Sequence, residues 1–157
     1  NSDPPKRLQL FISQQGFTVV KSGMPLQPVE GCTSGPTICA KEGDFTVETD
    51  RHDWLSLYNA LFEIKQDSEW QSHDTIEIVA DSSVNFGVLV KAMDIARNQR
   101  VVDDKAAKDA TVGMRMQSLE ELNKSVVPQV QNSEDPTKKE WLGMFPVVVL
   151  GLPTVSQ

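Results

Sequence analysis

Hydrophobic and polar residues alternate over residues 7–13 (Arg-Leu-Gln-Leu-Phe-Ile-Ser) and again over 17–21, with Gln14-Gln15-Gly16 between them. A period of two in segments rich in strand formers marks two strands, and the short intervening turn makes them an antiparallel hairpin. Residues 22–44 carry Gly, Pro, Ser and both cysteines and read as a loop, with room for a short strand at 37–41 and another at 45–48. The period then lengthens. Trp54, Leu57, Tyr58, Leu61, Phe62 and Ile64 recur at helical spacing, which predicts a helix ending near Gln66, with Asp50 as its N-cap and Asp53 in its first turn. Residues 75–80 return to the strand pattern.

A second helix is expected over 85–100. Val84 ahead of an Asn85 cap is placed to reach Leu89, and Phe86, Leu89, Val90, Met93 and Ala96 form its apolar side. Residues 101–144 are polar and broken by Pro128 and Pro136, with one short helix at 118–124 opened by a Ser118/Glu121 capping box. Residues 145–152 (Phe-Pro-Val-Val-Val-Leu-Gly-Leu) form a continuous apolar run of strand length, the pattern of a buried sheet strand. The fold class expected is α+β: a mixed β-sheet with two main helices packed on one face, and a right-handed crossover from 75–80 through the second helix to the last strand. All 157 residues read as one domain, with a cysteine loop at about 22–44 and an insertion at about 101–144.

Charge refines this picture. Fifteen basic against 22 acidic side chains leave a formal charge of -7, which argues against a nucleic-acid partner. Eleven carboxylates against two cations fall between Glu42 and Asp81, a net of -9, so the remainder is +2 (-7 minus -9). That stretch is either a solvated face or a docking surface for a basic segment. No apolar run reaches the roughly 18 residues of a membrane helix. The opening Asn1-Ser2-Asp3-Pro4-Pro5, without Met or leader, reads as a fragment or processed product.

Candidate chemistry is sparse. His52 and His73 are two scattered histidines, expected at the surface and too few for a histidine metal site; no metal or cofactor is expected. No Gly-rich phosphate loop, nucleophile elbow or zinc-protease motif occurs, and no acid/base pair stands out, so no enzyme is expected. Asp81, where a strand meets a helix, reads as the cap of that turn. Cys32 and Cys39, with six residues between them in one loop, suit neither zinc nor a CxxC redox site. A disulfide closing a small loop fits them and would imply an oxidising compartment, with two unrelated thiols as the alternative.

The segment Ile76-x-Ile78-x-Ala80-Asp81-x-x-Val84-x-Phe86-x-x-Leu89-Val90-x-x-Met93-Asp94-x-Ala96-Arg97 resembles the periplasmic domain of the ExbD/TolR biopolymer-transport family. Members show an alternating strand ending in Ala-Asp, then Val-x-aromatic, then a helix carrying Met-Asp. The element order agrees over roughly 100 residues. The 101–144 insertion and the longer cysteine loop depart from the pattern, and the family's membrane helix is missing from this chain. The resemblance implies the periplasmic domain of a bacterial inner-membrane protein: an energy-transducing, non-catalytic subunit of a proton-motive-force-driven motor. Its partners would be an ExbB/TolQ-like channel subunit and either a TonB/TolA-like envelope protein or peptidoglycan, and it would homodimerise. A peptidoglycan-anchoring module and a secreted ligand-binding or enzymatic domain remain as alternatives, the last distinguished by a polar pocket. The hairpin is the expected partner edge, with Leu8, Leu10, Ile12, Phe17 and Val19 on strands that an extended segment or a second copy could extend.

Overall fold

The computed structural model describes residues 5–151. It is a mixed α+β protein with four α-helices and a mixed sheet. In chain order the elements are β1 (Leu8–Ser13), β2 (Gly16–Lys21), β3 (Met24–Pro25), β4 (Ile38–Cys39), a 3-10 turn (Glu48–Arg51), α1 (Trp54–Gln66), β5 (Thr75–Ala80), α2 (Phe86–Arg97), α3 (Asp104–Ala107), α4 (Leu119–Lys124), β6 (Gln129–Gln131), β7 (Lys139–Trp141) and β8 (Val147–Leu150). Where the sequence reads as one domain with an insertion, the chain groups into two compact units. One takes the described residues of 1–53, 75–94 and 147–157; the other takes 54–74 and 95–146. The division falls inside α2, after Asp94.

The first unit is the sheet, in the order β3-β2-β1-β5-β8, with β4 also on β2. The β1–β2 pair is the expected hairpin, in the register Ser13↔Gly16 to Leu8↔Lys21. β1 also pairs with β5 in parallel, and β5 with β8 in parallel, Thr75 opposite Val147. Alternation sorts the side chains. Leu8, Leu10 and Ile12 of β1, Phe17 and Val19 of β2, and Ile76 and Ile78 of β5 are all buried. Gln9, Phe11, Thr18, Val20, Thr75, Glu77 and Val79 occupy the opposite, partly open face. Gly16 sits at φ +140°, and a Cβ there would lie 2.0 Å from the Ile38 carbonyl oxygen, so only glycine lets β4 approach the hairpin.

Several expectations fail here. Residues 45–48 form no strand; the chain bends there and enters the 3-10 turn, so Asp50 lies in that turn and α1 starts at Trp54. The Asn85 cap holds, its Oδ1 accepting from the Gly87 N–H at 2.7 Å, but the buried side of α2 is Val88, Ala92, Ile95 and Ala96. Phe86 is 75% exposed, Val90 is exposed, and Leu89 and Met93 are only half-buried. This helix is apolar on two sides, so periodicity alone offers two stripes. The buried one sets Ala92 and Ala96 beside Val88 and Ile95. Phe145 is buried as expected, but Val147, Val149 and Leu150 are exposed: the run is an edge strand, not an interior one. Leu152, at the end of that run, lies outside the described residues.

The second unit is organised by α1. Trp54, Leu57, Tyr58, Leu61 and Ile64 are buried, as the spacing predicts. Asn59 is buried too, and its side chain both accepts from the Met116 N–H and donates to the Met116 carbonyl at 2.9 Å. The Tyr58 hydroxyl accepts from Arg100 N–H at 2.8 Å and donates to the Met114 carbonyl at 2.9 Å. Burial pushes the Tyr58 phenol up to about 12, so it stays a neutral donor. Together they tie Arg100, Met114 and Met116 to the helix through side-chain bonds to their backbone groups. At Ser118 the cap forms, Oγ accepting from the Glu121 N–H, while the Glu121 carboxylate accepts from Gln117 N–H rather than from Ser118.

Candidate functional site

β8 is the outer strand of the sheet. Among the described residues no strand pairs with its free side. Val147 and Val149 stand in register with Thr75 and Glu77 on the open face and are 50% and 46% exposed; Leu150 is 54% exposed. The four residues Val-Val-Val-Leu carry no charge and no proline; Pro146 precedes the strand and Pro153 follows it in the sequence. Sheet edges are ordinarily blunted by lysine, proline or a bulge, because unpaired N–H and C=O groups template a further strand. The neighbouring acid is also neutralised: Glu77 accepts from Gln9 Nε2 at 2.7 Å and pairs with Arg7 at 3.3 Å. The result is an uncharged, β-branched edge one residue row away from Phe11 and Val79.

The hairpin is not that edge. β1 is paired on both sides, by β2 and β5. The outer side of β2 is taken by β3 at Val20 and Lys21 and by β4 at Gly16 and Phe17. Between them Val19 N–H donates to Thr37 Oγ1 and Val19 C=O accepts from Leu26 N–H. Leu8, Leu10, Ile12, Phe17 and Val19 are therefore core residues. The cysteine loop folds back to supply β3 and β4, a long-range pairing that local alternation does not encode.

The motif residues do not converge on one site. Ile76 and Ile78 are buried, Ala80 and Val84 half-buried, and Asp94 is exposed like Phe86. Asp81 closes its own turn: its carboxylate accepts from the Ser83 N–H and hydroxyl at 3.0 Å, which lowers its pKa, and its N–H donates to Ile12 C=O. Three acids of the acidic stretch are held by separate partners, Glu77 by Gln9 and Arg7, Asp74 by Lys65, and Glu63 by Arg115. His52, expected at the surface, is fully buried with its ring 5.0 Å from that of Phe17, and burial lowers its pKa. His73 packs edge-on against Trp70. Among the described residues no group of three or more His, Cys, Asp or Glu is placed to hold a metal, and no helix is long and apolar enough to cross a membrane.

Cys32 and Cys39 are joined in a disulfide, their Cα atoms 5.4 Å apart. One wall of a cleft of about 440 Å³ comes from this loop (Gly31, Thr33, Ser34, Cys39); the hairpin tip (Gln14, Gln15), 40–42 and Arg51 supply the rest. Backbone bonds fix these walls, with Ala40 N–H on Gln15 C=O at 2.8 Å and Lys41 N–H on Arg51 C=O at 2.7 Å. Sequence reasoning missed this cleft because its members lie as far apart as Gln14 and Arg51. Comparison with family models, curated proteins and solved structures finds no match to this chain.

Proposed function

We propose that this chain is a non-catalytic, energy-transducing interaction module of the ExbD/TolR type, working in the periplasm. In this reading its ExbD/TolR-like sheet grips an extended segment of a TonB/TolA-like envelope protein by strand addition at β8. The force-generating partner is an ExbB/TolQ-like channel subunit. The observation that carries this is the edge itself: β8 is uncharged, exposed and without a strand on its free side among the described residues. Backbone pairing supplies affinity with little demand on side chains, which suits a grip on an extended chain. The disulfide between Cys32 and Cys39 supports the oxidising compartment.

The test is amide hydrogen exchange with and without peptides from candidate envelope proteins, at low and high protein concentration. Protection gained over 147–150 on adding peptide supports the reading. Protection appearing there only as the chain is concentrated assigns the edge to a homodimer instead. Protection confined to other residues, or none, overturns strand addition.

A further inference from the structure

The cleft between the hairpin tip and the disulfide loop has an electrostatic character that its surroundings do not share. Lys41 and Arg51 both line it, brought together by the Lys41 N–H···O=C Arg51 bond, in a chain that is acidic overall. No ion pair joins either cation to a carboxylate among the described residues. The Arg51 Nε is buried and makes no hydrogen bond, an uncommon state for a desolvated charged donor. A guanidinium is a planar fork that matches a carboxylate in two parallel hydrogen bonds. The remaining walls are polar but neutral, with the amides of Gln14 and Gln15 and the hydroxyls of Thr33 and Ser34. Glu42 is the single acid.

We propose that this cleft binds a short peptide by its terminal carboxylate, held by Arg51 and Lys41, with the peptide's own N–H groups turned to Glu42 and the glutamine amides. The composition selects among anions. Hydrogen phosphate brings an O–H donor but a charge spread over all its oxygens, which Glu42 repels, whereas a peptide end offers one carboxylate with neutral N–H donors beside it for Glu42. About 440 Å³ lies within the range of small-ligand sites, roughly 300–1,000 Å³. The disulfide holds Thr33 and Ser34 in the wall, so the site needs it intact. This inference rests on the cleft and is independent of strand addition at β8.

The experiment titrates the oxidised, 15N-labelled chain with acetyl-Ala-Ala ending in a free carboxylate, with the same peptide ending in a carboxamide, and with inorganic phosphate. The free acid should shift the amide resonances of Gln14, Gln15, Ser34 and Lys41, and the carboxamide should bind at least about tenfold more weakly, as expected for losing a charge-assisted pair. Arg51→Gln should lose a similar factor, and Lys41→Gln should weaken binding in a variant that leaves the backbone contacts in place. Val149→Lys should leave the titration unchanged, which separates this site from the edge. Equal affinity for acid and carboxamide overturns the proposal. So does phosphate binding as tightly as the acid, shifts confined to residues outside the cleft, no binding of either peptide, or unaltered affinity in a folded Arg51→Gln chain.

Discussion

β1 and β8 are both made of aliphatic, strand-forming residues and both pair in parallel with β5, yet they live in opposite environments. β1 alternates, and its Leu8, Leu10 and Ile12 are nearly inaccessible to solvent; β8 is continuously apolar and roughly half exposed. Taken by hydrophobic content alone, β8 is the better candidate for an interior strand. The ranking reverses because position in a sheet follows from what pairs on each side, and β8 has a neighbour on one side only. An apolar run at an edge costs solubility and invites pairing, which is why the proposed partner site is placed there.

The widest separation between the two strands is in stability. Leu10→Ala should destabilise the chain by about 2–5 kcal/mol, as for other fully buried leucines, whereas Val149→Ala should fall within about 0.5 kcal/mol of the parent. Urea unfolding of both checks this, and equal losses would erase the distinction. Next in size is the disulfide that braces the β4 side of the sheet. Closing so short a loop removes chain entropy worth about 2.5 kcal/mol, so the Cys32→Ser/Cys39→Ser chain should show that loss of stability, with thiol titration of the unreduced parent finding no free cysteine.

A smaller effect sharpens the contrast through pH. His52, packed on Phe17 of β2, has its pKa lowered by burial, so the unfolded state binds more protons below about 6.5. Its contribution is therefore full above that pH and is lost as pH falls toward the folded value. Urea midpoints should decline between pH 7.5 and pH 5, and the decline should be shallower in His52→Phe; parallel slopes would show that other groups cause it. The smallest expected change in stability, and the largest in association, is Val149→Lys. It should leave the urea midpoint within about 0.5 kcal/mol of the parent while abolishing peptide-dependent protection at 147–150. Retained protection would move the interaction off the edge.

What the sequence discloses divides along the same line. The hairpin, β5, the buried side of α1, the Asn85 and Ser118 caps and the cysteine pair are legible because each rests on contacts within a few residues or on a single clear period. The burial of His52, the choice between the two apolar sides of α2 and the edge position of β8 depend on partners far along the chain. The same is true of the cleft: Arg51 has no local signal in the sequence that places it beside Lys41, Gln15 and the disulfide loop. Alternation over 75–80 and helical spacing after Asn85 predict β5 and α2, but they do not say which residues of the sheet stay open.

β8 also differs from the rest of the sheet in when it can form. β1 meets β2 across the two residues Gln14 and Gln15, whereas Thr75 meets Val147 only after a separation of 72 positions (147 minus 75). Closing that span costs more chain entropy and slows pairing, and during synthesis the hairpin and β5 leave the ribosome well before Val147 does. For that interval β5 itself is the end of the sheet, with Glu77 and Val79 beside an open row of backbone groups. Any strand that reaches β5 first, from another nascent copy or from a peptide, competes with β8 for its place. Release of β8 would restore that open row on β5 while leaving the β1–β2 and β1–β5 pairings intact.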